Sequence, residues 1–245
     1  MRNVIFLAVL LSACEEPTEF EAPAEFAEKA AINTETGAAD FVAYAKEADG
    51  VFVGRVTQIT YAMSQPDAVG AQLPFTFVTY SVEKALLGTK AGNSVTLRFF
   101  GGPLDDGALF TSEYPNLDVG DRDIVFVQGN DTYGVPWVLA NESRVRLSGD
   151  GAYTSAGHAI TLRNNQAYIG DFYDIPETRS MMVGPERFDL ERSLVDLPTN
   201  PTIPAKESVF VTWLQAEIQR AGLSRPADAI KSSDPAKPIF FSSQF

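Results

Sequence analysis

Cys14, the only cysteine of the chain, is the residue whose type and setting point most directly to chemistry, for it closes the stretch FLAVLLSAC. Arg2 supplies a positive start, and Val4 to Leu11 form an unbroken apolar run. That run is too short to span a bilayer, which needs about 20 apolar residues, but it suits a cleaved export signal over residues 1–13. Beyond Cys14 the chain holds no thiol, which excludes disulfides, thiol nucleophiles and thiolate-bound zinc from the remainder. His158 is the sole histidine, which excludes multi-histidine metal sites.

The other residue patterns with chemical meaning are weaker. Ser81 and Lys84 match the Ser-x-x-Lys spacing of serine acyl enzymes, whose chemistry uses a helix. Here the spacing falls on a predicted strand, where i and i+3 point to opposite sides. His158 with a serine and an aspartate would make a triad only by geometry, and the chain lacks a Gly-x-Ser-x-Gly elbow. Asp118, Asp121 and Asp123, followed by Asn130 and Asp131, offer oxygen ligands for calcium, yet their spacing does not fit a twelve-residue EF-hand loop. Turn chemistry explains such aspartates equally well. A glycosidase would need two carboxyl groups about 5 to 9.5 Å apart across a cleft, and 32 acidic residues nominate no pair. Neither a Walker nor a Rossmann glycine loop is present, and no cofactor is expected. Phe99, Phe100, Phe110, Tyr114, Tyr133 and Trp137 could stack on sugars, bases or peptides, or fill a core.

Charge narrows the partners. The chain carries a formal net charge of -13, and loss of Arg2 with a signal would make it more acidic still. Such a chain repels phosphate backbones, so nucleic acid is not an expected partner.

Positioning these residues falls to a few elements. Residues 14–40 hold eight acidic residues against Lys29, with two prolines, and read as a solvated acidic tether. Residues 38–48 suggest a short helix, with Phe41, Ala45 and Ala48 on one face. Residues 51–61, 75–86, 94–100, 123–128, 132–140 and 143–148 read as strands between turn signals, so residues 41–163 are expected to form a β-barrel-like domain. Short strands at this spacing imply a mainly β fold, a closed barrel or a sandwich. Residues 164–245 read as an irregular segment containing one helix, 205–221. Val209, Phe210, Trp213, Leu214 and Ile218 recur there at helical spacing, and Gly222 ends it. Between the third and fourth strands, Gly101 to Asp118 form a connection long enough to suggest function. Leu104, Leu109, Phe110 and Tyr114 are its candidate binding residues, or else cover an open barrel end.

Leu-Ser-Ala-Cys resembles the lipobox of bacterial lipoproteins. That resemblance implies diacylglycerol on the Cys14 sulfur, cleavage before Cys14, acylation such as palmitate on its new amino group, and a membrane anchor. Glu15 at the next position favours the outer membrane, facing the periplasm. VFVGRV, KALLGTKAGNSVTLRFFGG, PNLDVGDRDIVFV, LSGDGAY and KESVFVTWLQAEIQRAG together resemble a family of uncharacterised bacterial envelope and secreted proteins. The strand order also resembles the oligonucleotide/oligosaccharide-binding barrel in its netrin-like form. Some netrin-like inhibitors grip a protease zinc through a free amino-terminal cysteine in a disulfide-clamped barrel, and this chain lacks the disulfide partner. The expected function is a lipid-anchored, non-catalytic binding or scaffolding module for an envelope protein or glycan. The alternatives are an envelope-polymer hydrolase with paired carboxylates and a protease-inhibitor-like module.

Overall fold

The computed structural model describes residues 38–103, 109–110, 117–131, 136–139, 143–172, 178–183, 186–191 and 203–239. Cys14, Leu104, Tyr114 and Tyr133 lie outside the described residues.

β-Branched and aromatic residues build two long strands, β2 (Gly50–Met63) and β3 (Pro74–Leu87), that pair as an antiparallel hairpin. Its register slips between Val51 and Phe52, between Val53 and Gly54, and between Val56 and Gln58. Each slip bends and twists the ribbon, which lets the sheet curl. Seven further strands join them: β1 (Ala38–Ala39), β4 (Ser94–Phe100), β7 (Arg122–Val127), β8 (Val145–Ser148), β9 (Gly151–Thr154), β10 (His158–Arg163) and β11 (Gln166–Phe172). The spatial order is β1-β11-β10-β9-β8-β7-β2-β3-β4, antiparallel at every junction. Two small ribbons stand apart from it, β5 (Gly102–Pro103) with β6 (Leu109–Phe110), and β12 (Thr178–Val183) with β13 (Glu186–Glu191). The mainly β class with a carboxy-terminal helix is therefore as expected. Strand pairing leaves the nine-stranded sheet open, with β1 and β4 at its ends.

Curling brings β4 back toward β7. Val95, Leu97 and Phe99 of β4 share one buried cluster with Val125 and Val127 of β7, although two strands separate them in the order. Phe99 meets Trp137 edge-on at 5.1 Å. A side chain bridges the remaining seam. Asn130 accepts the Arg98 amide N–H at 3.0 Å and donates to the Thr96 carbonyl at 2.9 Å, as the peptide group of a neighbouring strand would. The segment after the helix then crosses the same edge: Ser233 donates its amide to the Thr96 carbonyl at 2.8 Å, and Ser232 Oγ accepts the Thr96 amide at 2.8 Å. Asn130→Ala should therefore lower stability by about 1–3 kcal/mol, because Arg98 would keep a part-buried N–H with no acceptor. Urea titration should show an earlier midpoint at an unchanged slope.

The outer face carries the helices. Alternation along β7 sends Ile124 and Phe126 outward, and register sets Val53 and Val51 of β2 beside them. Helix α1 (Phe41–Glu47) begins where Asp40 Oδ1 accepts the Ala43 amide at 2.9 Å. Helix α2 (Glu207–Arg220) ends at Gly222, whose φ of 68° is the left-handed conformation glycine adopts freely. Phe41 lies 6.2 Å from Phe126, 5.3 Å from Phe210 and 6.4 Å from Trp213, so one ring ties both helices to the sheet.

Three sequence expectations need correction. Residues 164–245 are not irregular apart from one helix, because β11 extends the main sheet and β12 pairs with β13. The cause is Asn164–Asn165, whose φ values of 49° and 61° turn the chain in two residues between Arg163 and Gln166. Paired asparagines tolerate that conformation, and such turns match strand twist. The described part of 132–140 is no strand but a single bridge from Trp137 to Val127, broken by Leu139 at φ 50°. On α2 the inward stripe is Phe210, Val211, Leu214 and Ile218, while Val209 points to solvent.

Candidate functional site

Among the described residues, the densest assembly of charged groups lies where β7 enters the sheet. A turn at Gly120 precedes it: Gly120 donates its amide to the Val56 carbonyl and Val56 returns a bond to Asp121, both at 2.8 Å. Asp121 Oδ2 also accepts the Asp118 amide at 3.0 Å, so these two aspartates brace their own turn. Alternation then places Asp123 on the inner face and Arg122 on the outer.

Asp123 is wholly buried beside Val125 and Val127. Its Oδ2 accepts the Tyr80 hydroxyl at 3.1 Å, and its Oδ1 pairs with Arg144 Nε at 2.9 Å. Arg144, 3 % exposed in its side chain, reaches Asp121 Oδ2 with a second nitrogen at 3.1 Å and lies 6.0 Å over the Trp137 ring. Burial pushes the Asp123 carboxyl up from its ordinary range, with the Arg144 charge pulling against that rise.

On the outer face, Arg122 grips Glu207, the first residue of α2, through two bonds at 2.6 and 2.9 Å. The same guanidinium reaches Glu83 Oε2 on β3 at 2.7 and 2.9 Å. Arg55 adds a bond to Glu83 at 3.1 Å and another to the Gly120 carbonyl at 3.0 Å. Burial alone would raise the Glu83 carboxyl, yet the bonds and charges of Arg122 and then Arg55 outweigh it and hold the group below 4.5. A depressed carboxyl stabilises the fold at pH above its unfolded value and loses that contribution as pH falls through the folded value. Glu83→Gln should therefore flatten part of the acid limb of the stability curve below pH 4.5, read as thermal midpoint against pH.

Strands β7 and β8 pair only at Asp123–Arg146 and Ile124–Val145 before they splay. Splaying leaves a polar cleft of about 300 Å³, lined by Arg55, Arg122, Arg146, Ser148, Asp150 and Glu207 among others. Two of its charges, Arg122 and Glu207, neutralise one another. Asp123 at its base has a side chain only 1 % exposed, and its carboxyl is engaged by Arg144 and the Tyr80 hydroxyl. Asp121 and Asp123 share one guanidinium, which keeps both engaged within the fold.

No family model, curated protein or solved structure matches this chain.

The residues singled out by the sequence are dispersed. Asn130 and Asp131 sit at the far end of β7 from Asp118 and Asp121, engaged with β4 and Ser233. Among the described residues no three acidic, histidine or cysteine side chains gather as metal ligands. Ser81 and Lys84 do lie on a strand, but the slip in register sets them opposite Arg55 and Val53, alternate residues of β2, and so on one side of the sheet. The expected opposite facing is lost because a bulge adds a residue between them. His158 opens β10, half-buried, its amide donating to Thr154 Oγ1 at 3.2 Å. Of the aromatic candidates, Phe99 and Trp137 are buried against each other and Phe100 packs on Phe75 at 5.5 Å. Leu109 and Phe110 form β6, paired with β5, so part of the Gly101–Asp118 connection is a ribbon.

Sequence reasoning passed over Arg122, Arg144 and Tyr80. A signal was present: in RDIVFV, Asp123 shares the inward face with Val125 and Val127, and a carboxylate on a core face requires a buried cation.

Proposed function

We propose that this chain is a lipid-anchored envelope protein whose β domain is a non-catalytic binding or scaffolding module. The observation that carries the non-catalytic part is the Asp121–Arg144–Asp123–Tyr80 network. Carboxyl groups fit for acid–base work must meet a substrate at hydrogen-bond distance, and here both are engaged by the Arg144 guanidinium, Asp123 within the core and Asp121 at its edge. The anchoring part rests on Cys14, the sole thiol, set after an apolar run and two small residues. Two or three acyl chains at about 0.8 kcal/mol per buried CH₂ make a lasting anchor. The acidic stretch between Cys14 and β1 would serve as the spacer, since any chain spans at most roughly 3.3–3.6 Å per residue. The Gly101–Asp118 connection is the module's candidate contact surface, with Phe110 and Tyr114 as anchors.

Fractionation tests this reading. Wild type should sediment with membranes and require detergent for release, whereas Cys14→Ser should move to the soluble fraction with an unchanged thermal midpoint. Equal partition of the two forms overturns the anchor.

A further inference from the structure

A second depression, about 560 Å³ in volume, lies between β10 and the start of α2. Among the described residues its apolar lining includes Leu162, Ile203, Pro204 and Val209, and its charged lining is Arg163 and Lys206. Ile203 is 84 % exposed and Val209 53 %, the aliphatic cost of leaving this face uncovered. Both walls are fixed by backbone bonds. Ala205 donates to the Ile160 carbonyl at 2.7 Å and accepts from the Ala152 amide at 3.1 Å, while Glu207 donates to the Asp150 carbonyl at 2.8 Å. The groove is therefore formed in advance, and binding would not have to order it.

The charges at this groove run against the rest of the chain. Acidic residues outnumber basic ones 32 to 19, and Arg55, Arg98, Arg122, Arg144 and Arg220 each hold a carboxylate. Arg163 and Lys206 hold none among the described residues, as is also true of Lys46, Lys84, Lys90, Lys231 and Lys237, but these two line one groove together beside its aliphatic side chains. Two unneutralised cations beside exposed aliphatic side chains match a ligand that is apolar and anionic together. The groove is widely open to solvent, whereas a small ligand is usually buried over about 70–90 % of its surface. A segment of a larger partner, which keeps one side in solvent, fits that openness better.

We propose that the groove between β10 and α2 docks an acidic peptide segment bearing aliphatic or aromatic side chains, supplied by a partner protein. This deepens the reading of the domain as a binding module and rests on it. Apolar side chains of the partner would cover Ile203 and Val209, and its carboxylates would meet Arg163 and Lys206. Electrostatic recognition of this kind weakens as salt is added.

The test uses the full chain carrying Cys14→Ser and a fluorescein-labelled peptide of about twelve residues alternating Glu with Phe or Leu, read by anisotropy at low salt. Control peptides replace Glu by Lys, or the apolar residues by Ser. The alternating peptide should bind at least tenfold more tightly than either control. Arg163→Glu with Lys206→Glu should weaken it tenfold or more, and Val209→Asp should do so independently, both with the thermal midpoint of the parent. Equal affinity for all three peptides, or indifference to charge reversal, overturns the proposal. So does a groove filled otherwise: self-association abolished by Val209→Asp, or capture by anionic phospholipid vesicles without peptide binding. Any of these failures leaves the anchored-module reading standing, since fractionation of Cys14→Ser decides that separately.

Discussion

Replacing Asp123 by Ala should be among the most damaging single changes in the domain, costing about 3–5 kcal/mol. The substitution leaves Arg144 buried with one of its two carboxylates gone, and the Tyr80 hydroxyl loses its acceptor. Asp121 still neutralises part of the charge at 3.1 Å, which places the cost toward the lower end of that range. For a domain of this size the thermal midpoint should fall by on the order of 10 °C. Asp123→Leu combined with Arg144→Met separates structure from function. Apolar replacement of a buried ion pair is often neutral or stabilising by about 1–4 kcal/mol, so the double variant should recover most of the loss. A double variant no more stable than Asp123→Ala would show that the network does more than neutralise itself, and would reopen the case for chemistry at the base of the β7–β8 cleft.

Phe41→Ala carries the second large expected effect, again about 3–5 kcal/mol. Phe41 is buried at the centre of a ring cluster that includes Tyr44 at 5.7 Å and Phe210 at 5.3 Å. Truncation opens a cavity between α1, α2 and the outer face of β7. Trp213, at 6.4 Å and hydrogen-bonded to the Asn165 carbonyl at 3.2 Å, reports the change. Its fluorescence should red-shift in the native state, and chemical denaturation should begin earlier. An unaltered midpoint would mean that α1 is not seated through this ring.

Much of the architecture was legible in the sequence because it rests on period and turn chemistry. Alternating runs such as VFVGRV and DIVFV mark strands, and the spacing of Phe210, Leu214 and Ile218 marks α2. Val209 was misplaced because a helical stripe is wider than the core it meets, and one edge of it remains in solvent. The β10–β11 hairpin was missed because Asn164–Asn165 is polar and exposed like any loop, and only its left-handed backbone reveals a two-residue turn. Asn130 illustrates a deeper limit. Its composition and neighbours fit a calcium loop or a surface turn, whereas its role is to complete a seam between strands distant in the chain. Arg144 and Asp123 stand 21 positions apart, and nothing local couples them until β7 and β8 pair.

The central claim, that this module is held to a membrane through Cys14, is tested most directly by the intact mass of the protein extracted from membranes with detergent. The expected mass is that of a chain that starts at Cys14, lacks Met1 to Ala13, and carries diacylglycerol with a further acyl group. A mass corresponding to an unmodified Cys14, or to a chain still beginning at Met1, would contradict it.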